Sequence, residues 1–254
     1  MVDLLSGTTQ PHLPFRIPAN LEHRVEWLKE KGAFLIKLPD AELLYCQAMF
    51  SKAISDRALY HLLDNEHMPP VHTDWAGLSD TQIFKAGFKN IAWQRQSGRF
   101  YGRHLPFPRL TAWYGDAGAD YVYSNTVSHP LPWTRGLWYL KQQVERLSDS
   151  RFNSVLLNWY RDGNDYLSWH ADDEPELGKD AVIASLSFGH TRDFLLRRSD
   201  NHEQKLAIAL EHGSLLVMRG ALQQHWQHAV PKRMAVQGSR VNLTFRWIHP
   251  KASV

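Results

Sequence analysis

His170-Ala171-Asp172 holds the residue types a metal would use. In an extended strand, side chains two apart share a face and the rise is about 3.3 Å per residue. An imidazole and a carboxylate would then start about 6–7 Å apart, close enough for two neighbouring positions on one metal ion. A third ligand from elsewhere would complete two histidines and a carboxylate, the set used by non-haem Fe(II) oxygenases. The pair alone carries little weight. With 14 histidines in 254 residues, roughly one His-x-Asp arises by chance. A second, His72-Thr73-Asp74, follows Pro69-Pro70 with no strand-like run before it, and reads as a surface loop.

The stretch from Arg240 to Trp247, RVNLTFRW, alternates. Val241, Leu243, Phe245 and Trp247 share one face, and Arg240, Asn242, Thr244 and Arg246 the other. A half-exposed strand with a solvated polar face explains this. The same four side chains are also good donors for a dicarboxylic acid, because guanidinium groups grip carboxylates bidentately. Arg240 and Arg246 start about 20 Å apart, so one near each end of a five-carbon diacid is the better geometry. Candidates for the third metal ligand are His190, His202, His212, His225 and His228. In a strand His225 and His228 face opposite ways, so only one of them can serve; spacing does not choose.

Residues 81–115 contain Lys85, Lys89, Arg95, Arg99, Arg103 and Arg109 but no acid, with Phe84, Phe88, Trp93, Phe100, Tyr101, Phe107, Trp113 and Tyr114 interleaved. Basic groups neutralise phosphates and aromatic faces stack on unpaired bases. Strands with solvated arginines and buried rings are the plainer alternative. The net charge of +3 decides nothing by itself. No apolar run reaches the 18 residues of a membrane span. The N-terminus lacks the basic and apolar regions of a secretory signal. Cys46 is the sole cysteine, which excludes an internal disulfide and a cysteine-rich zinc site, and fits an intracellular, reducing compartment.

The elements that must position these groups change character along the chain. Residues 1–20 hold Pro11, Pro14 and Pro18 and read as a flexible arm. Residues 33–38 read as a strand closed by Pro39-Asp40, with Asp40 capping a helix over 41–53 and Ser55-Asp56 capping a second to about 63. Short strands are expected near 91–95, 109–113 and 121–123. Leu137, Leu140, Val144 and Leu147 predict an amphipathic helix over 133–148. Eight strands follow, near 153–160, 166–170, 181–188, 193–197, 204–210, 213–218, 225–230 and 239–248. That number suits a jelly roll. The fold class is mostly β with flanking helices, the N-terminal helices buttressing a single domain over 21–254.

Four stretches resemble the AlkB family of Fe(II)- and 2-oxoglutarate-dependent nucleic-acid demethylases. They are Asn158-Trp159-Tyr160 with His170-Ala171-Asp172-Asp173-Glu174; His225-Trp226-Gln227-His228; Arg240-Val241-Asn242-Leu243-Thr244-Phe245-Arg246; and Pro108-Arg109 through Tyr114-Gly115-Asp116 to Tyr121-Val122-Tyr123-Ser124. The pattern is most similar to the DNA-repair homologue branch. The resemblance implies a double-stranded β-helix (jelly-roll) core over 153–248 and a nucleotide-recognition region over 81–125. It implies Fe(II) on His170, Asp172 and His228, with His225 left structural. It puts 2-oxoglutarate against Arg240, with Asn158, Tyr160, Asn242, Thr244 and Arg246 contacting or supporting it. Substrate contacts fall to Asp173, to Tyr121, Val122 and Tyr123 at the base pocket, and to Tyr101, Gly102 and Arg103 in a probing hairpin. The implied reaction consumes O2 and 2-oxoglutarate and removes N-methyl groups from bases such as 1-methyladenine and 3-methylcytosine, releasing formaldehyde and succinate. DNA stands ahead of RNA as partner, with no membrane and a monomer expected. A 2-oxoglutarate-dependent hydroxylase of another substrate class, and a non-catalytic nucleic-acid-binding module with a structural metal, are the rival readings.

Overall fold

The computed structural model describes residues 13–63, 91–95, 97–100, 103–123 and 126–249. In chain order, β1 (Phe15–Arg16), β2 (Arg24–Leu28), β3 (Ala33–Leu38) and β4 (Ala41–Cys46) precede helix α1 (Lys52–Leu63). Then come β5 (Ser97–Phe100), β6 (Arg103–Pro106), β7 (Leu110–Gly115), β8 (Tyr121–Tyr123), β9 (Thr126–Ser128) and helix α2 (Arg135–Ser148). The second half holds β10 (Ser154–Tyr160), β11 (Leu167–His170), β12 (Ile183–Gly189), β13 (Arg192–Arg198), β14 (Lys205–Leu210) and β15 (Leu215–Arg219). A short helix α3 (Leu222–His225) leads into β16 (Trp226–Val230) and β17 (Arg240–Arg246).

Two sheets face each other. The larger runs β2-β3-β4-β15-β12-β17-β10-β7 and the smaller β1-β14-β13-β16-β11, while β5-β6 and β8-β9 form separate hairpins. The eight strands from β10 to β17 divide equally between the sheets, giving the jelly roll expected from their number. Strand alternation then sorts the chain into layers. Leu216, Met218, Phe194, Leu196, Ile208 and Trp226 fill the space between the sheets. Val155, Leu157, Ala184, Leu186, Val241, Leu243 and Phe245 point to the other side of the large sheet. There they meet Leu137, Leu140 and Val144 of α2, the stripe predicted from spacing, together with Ala58 and Leu62 of α1. The Thr134 hydroxyl starts α2 by accepting from the Leu137 amide at 3.3 Å.

Several expectations are corrected. Residues 41–46 form β4 instead of a helix. Leu38 pairs with Ala41, so Pro39-Asp40 is the two-residue turn of a hairpin, and Asp40 takes a positive φ of 61°. Leu43 and Tyr45 pack between the sheets while Leu44 and Cys46 pack beneath α1, so both faces are buried and alternation disappears. The N-terminal segment therefore extends the large sheet, and α1 alone buttresses it among the described residues before 64. Ser51 caps α1, in place of Ser55-Asp56: its carbonyl accepts from Ser55 at 2.9 Å and its hydroxyl from Ile54 at 3.4 Å. Residues 91–95 make only a bridge, Gln94 to Thr111, and no strand. Phe15 and Arg16, within the predicted arm, pair with Ile208 and Ala207, and Phe15 is buried against Phe34. Residues 1–12 and the pair His72 and Asp74 lie outside the described residues.

Candidate metal and cosubstrate site

In-register pairing builds the site's floor. Asn158 lies opposite Asn242 and Tyr160 opposite Arg240, while Asn158 also pairs across to Thr111. Alternation turns Asn158, Tyr160, Arg240, Asn242, Thr244 and Arg246 inward, between the sheets. The polar face of the last strand is thus buried, not solvated, and Trp247, just beyond its end, is largely exposed. A sheet face this polar survives burial only if its groups pair with each other or with a ligand. Asn242 Nδ2 donates to Ser185 Oγ at 2.7 Å, and the Thr244 hydroxyl donates to Asn242 Oδ1 at 2.9 Å. Arg240 is 1% exposed and donates from Nη2 to Ser187 Oγ at 2.9 Å. Among the described residues its Nε and Nη1 have no hydrogen-bond partner. Burial pushes this guanidinium down to about 10, so it is still cationic at neutral pH.

The small sheet supplies the opposite wall. His170 of β11 pairs with His228 of β16, and Asp172 follows two residues on. Among the described residues these three form the one cluster with metal-ligand spacing, their ligand atoms all within 4.8 Å of one another. Each is held. His170 Nδ1 donates to the Ser168 carbonyl at 2.8 Å, which leaves Nε2 with its lone pair, 3.6 Å from Asp172 Oδ1. Arg246 Nη2 bonds the other oxygen, Asp172 Oδ2, at 2.6 Å. Gln223 Oε1 accepts from the Asp172 amide at 2.9 Å. Phe194 stacks on His228 with ring centroids 5.1 Å apart, and His228 Nδ1 is buried with no hydrogen-bond partner among the described residues.

The electrostatics suit a cation. Burial opposes ionisation of Asp172, but Arg246, His228 and His170 outweigh it and hold the carboxyl well below its usual range. Burial, then His170, push His228 down to about 3, so its imidazole is neutral and able to ligate at physiological pH. Two imidazoles, one carboxylate and a buried ring nitrogen unpartnered among the described residues fit a divalent transition metal. These shifts also set an acid dependence. His228 in the unfolded chain titrates near 6.5, above its folded value. The unfolded state therefore binds the proton first, and stability present above pH 6.5 is lost as pH falls towards about 3. Asp172, depressed below 3.8, adds a loss of the same sign at lower pH. In chelator, the urea midpoint is expected to fall from pH 7 to pH 4, and His228→Gln to flatten that slope.

The cavity measures about 130 Å³. One water needs roughly 10–15 Å³ on that measure, so the space suits a molecule of several heavy atoms. It gathers the metal trio and all six cosubstrate residues expected from the sequence. Asp173 is not among its lining residues. It is exposed, because the extended backbone that turns His170 and Asp172 inward turns Asp173 outward and brings Glu174 in. His225 ends α3 and stays outside the trio. Arg246, expected to contact or support the cosubstrate, lines the cavity and gives one guanidinium nitrogen to Asp172. Tyr101 and Gly102 lie outside the described residues. Arg103 falls on β6, and Tyr121, Val122 and Tyr123 form β8; their side chains likewise fall outside what is described.

Sequence reasoning missed Gln223, Glu174 and the inward role of Arg109. Arg109, counted with the basic stretch, is buried, lines the cavity and donates from Nε to Asn158 Oδ1 at 2.7 Å. The signal was present: Arg109 is two residues before Thr111 and four before Trp113, on the face that lines the cavity.

A jelly roll with two imidazoles, a carboxylate and a buried arginine in one cavity defines the class of mononuclear metal oxygenases with a dicarboxylate cosubstrate. Residues 79–246 match the model of the 2OG-Fe(II) oxygenase superfamily, and the chain belongs to that superfamily, within its AlkB family. It is 45% identical over 171 residues to mouse alpha-ketoglutarate-dependent dioxygenase alkB homolog 3, covering 64% of this chain and 59% of that protein. It is 41% identical over 157 residues to mouse DNA oxidative demethylase ALKBH2, covering 59% and 66%. The match thus spans less than two thirds of the length of these relatives. A solved structure of OsALKBH1 superposes with a TM-score of 0.50 at 15% identity, covering 88% of this chain and all of that one, a likeness of fold alone. The superfamily takes its name from the Fe(II) and 2-oxoglutarate that the donor set here fits. No helix among the described residues is long and apolar enough to cross a membrane.

Proposed function

We propose that this protein removes N-linked methyl groups from nucleic-acid bases by oxidation, using Fe(II), 2-oxoglutarate and O2, with DNA ahead of RNA as substrate. The observation that carries the reading is the sharing of one cavity by the His170, Asp172 and His228 cluster and the unpartnered guanidinium edge of Arg240. His170, Asp172 and His228 would hold the iron, and Arg240 the distal carboxylate of 2-oxoglutarate. Asn158, Tyr160, Asn242 and Thr244 would set its orientation. When bound, the iron and cosubstrate supply an oxidation in which one oxygen atom of O2 enters an N-methyl C–H bond and the other leaves in succinate, with CO2 released. The hydroxymethyl product then breaks its C–N bond to give formaldehyde and the unmodified base.

The chain's own contribution is placement. Arg246 and Gln223 fix Asp172, the Ser168 carbonyl fixes the His170 tautomer, and the sheet walls exclude water. Relatives named as a DNA oxidative demethylase and an alkB homolog support the substrate class. A base in a duplex must be flipped to reach a buried metal, which costs least for a damaged or unpaired one. Cationic lesions such as 1-methyladenine and 3-methylcytosine suit the site, where Glu174 in place of Asp173 offers the inward carboxylate. Arg95, exposed beside the bridge at Gln94, keeps one member of the basic stretch at the surface. The sole cysteine, buried and reduced, supports an intracellular setting, and the reading takes the protein as a monomer.

A panel of methylated DNA and RNA oligonucleotides, scored by mass spectrometry, tests this. Loss of one CH2 from at least one methylated strand is expected. Intact methyl groups on every DNA and RNA strand, in protein that binds iron, overturn it. Binding should also weaken steeply with salt, since each phosphate neutralised contributes a slope of about −0.7 to −0.9 in log K against log salt. A flat salt dependence contradicts a phosphate grip.

A further inference from the structure

Resting on the reading of Arg240 as the anchor of a dicarboxylate, we infer that Arg192 is a positioning residue for that anchor, acting through Tyr160. Arg192 opens β13 and is 2% exposed, yet among the described residues no carboxylate is hydrogen-bonded to it. Its guanidinium instead donates to three backbone carbonyls, Asp162 at 3.1 Å, Asp165 at 2.9 Å and Pro231 at 2.7 Å. These lie on the turn after β10 and the segment after β16, two loops that the sheets alone would leave independent. The loops touch closely: a side chain at Gly163 would meet the Arg233 carbonyl 1.7 Å away, and Gly163 exchanges two 2.8 Å backbone bonds with Val236 and Arg233.

The same guanidinium carbon sits 5.7 Å from the Tyr160 ring centre, and that of Arg240 sits 5.2 Å from the same ring. One ring is therefore in reach of two buried cations, one fixed by three carbonyls and the other with donors to spare. A planar fork satisfying three acceptors holds its plane rigidly, and a ring against that plane inherits the constraint. Arg192 also adds a second positive charge near the end of the cavity where a carboxylate would sit, in a region too buried for water to screen it. Both effects act on the distal carboxylate of the bound acid and on nothing at the metal.

The test compares Arg192→Met, which keeps the aliphatic stem, and Arg192→Lys, which keeps the charge without the fork. Calorimetry in the presence of Mn(II) measures the Kd of 2-oxoglutarate and of 2-oxobutyrate, which lacks the distal carboxylate. Arg192→Met is expected to weaken 2-oxoglutarate by about tenfold or more and 2-oxobutyrate by less than twofold, with Arg192→Lys between wild type and Met. In turnover, the KM for 2-oxoglutarate should rise while kcat stays within about threefold. Equal weakening of both acids, or a loss of thermal stability with an unchanged ratio of the two affinities, makes Arg192 merely structural and overturns the inference. If Arg192→Met does not fold, the ratio measured for Arg192→Lys decides: unchanged from wild type, it overturns the inference. Should wild type itself fail to prefer 2-oxoglutarate over 2-oxobutyrate, and Arg240→Ala change nothing, the anchor reading falls first.

Discussion

His170→Ala is expected to abolish turnover and to lower iron affinity on the order of 10³-fold. Loss of an outer partner of a metal ligand already costs about 10- to 100-fold, and His170 supplies the bond itself. The side chain is 30% exposed, so its removal should leave the fold intact, which thermal unfolding in chelator would verify. Asp172→Ala should be equally inactive but less stable. It takes from buried Arg246 the carboxylate it bonds at 2.6 Å, and breaking a buried pair from one side costs about 3–5 kcal/mol. The contrast between the two variants separates ligand loss from ion-pair loss. His72→Ala, in the other His-x-Asp pair, should bind iron as wild type does, because the trio is complete without it. Iron titration, followed through the ultraviolet-visible band formed with 2-oxoglutarate, reads all three.

Arg240→Ala should raise the KM for 2-oxoglutarate by about 10- to 100-fold, the worth of one or two charge-assisted hydrogen bonds in a buried site. At saturating cosubstrate, kcat should recover, since Arg240 lies on the sheet opposite His170 and His228 and touches none of the trio in the described contacts. Arg240→Lys should rescue only part of the loss, because a point charge cannot reproduce a planar fork. An Arg240→Ala protein with unchanged KM would remove the cosubstrate from this end of the cavity.

Some of this was legible in the sequence, for physical reasons. β17 is buried on both faces, but one meets an apolar core and the other a polar cavity, so its alternation makes the inward set Arg240, Asn242, Thr244 and Arg246 readable from the order of residues alone. Turn residues at short intervals announced the eight strands of the jelly roll. What stayed hidden depends on contacts between distant segments. Ala41–Cys46 is buried on both faces and so has lost the periodicity that separates strand from helix. Arg109 looks like any other base in an acid-free stretch until β7 pairs with β10 and carries it to Asn158. The bond from Arg246 to Asp172 spans 74 residues and leaves no local trace. Gln223 and Arg192 act through backbone groups of other loops, an amide and three carbonyls, which carry no sequence signature.

The central claim is that oxidation of a methyl group on a nucleic-acid base is coupled to turnover of 2-oxoglutarate in this cavity. Simultaneous measurement of formaldehyde and succinate, with a 1-methyladenine oligonucleotide, Fe(II), 2-oxoglutarate and O2, tests it most directly. The account predicts one formaldehyde for each succinate formed in the coupled reaction, and neither product from His170→Ala. Succinate without formaldehyde, whichever methylated strand is supplied, would contradict it.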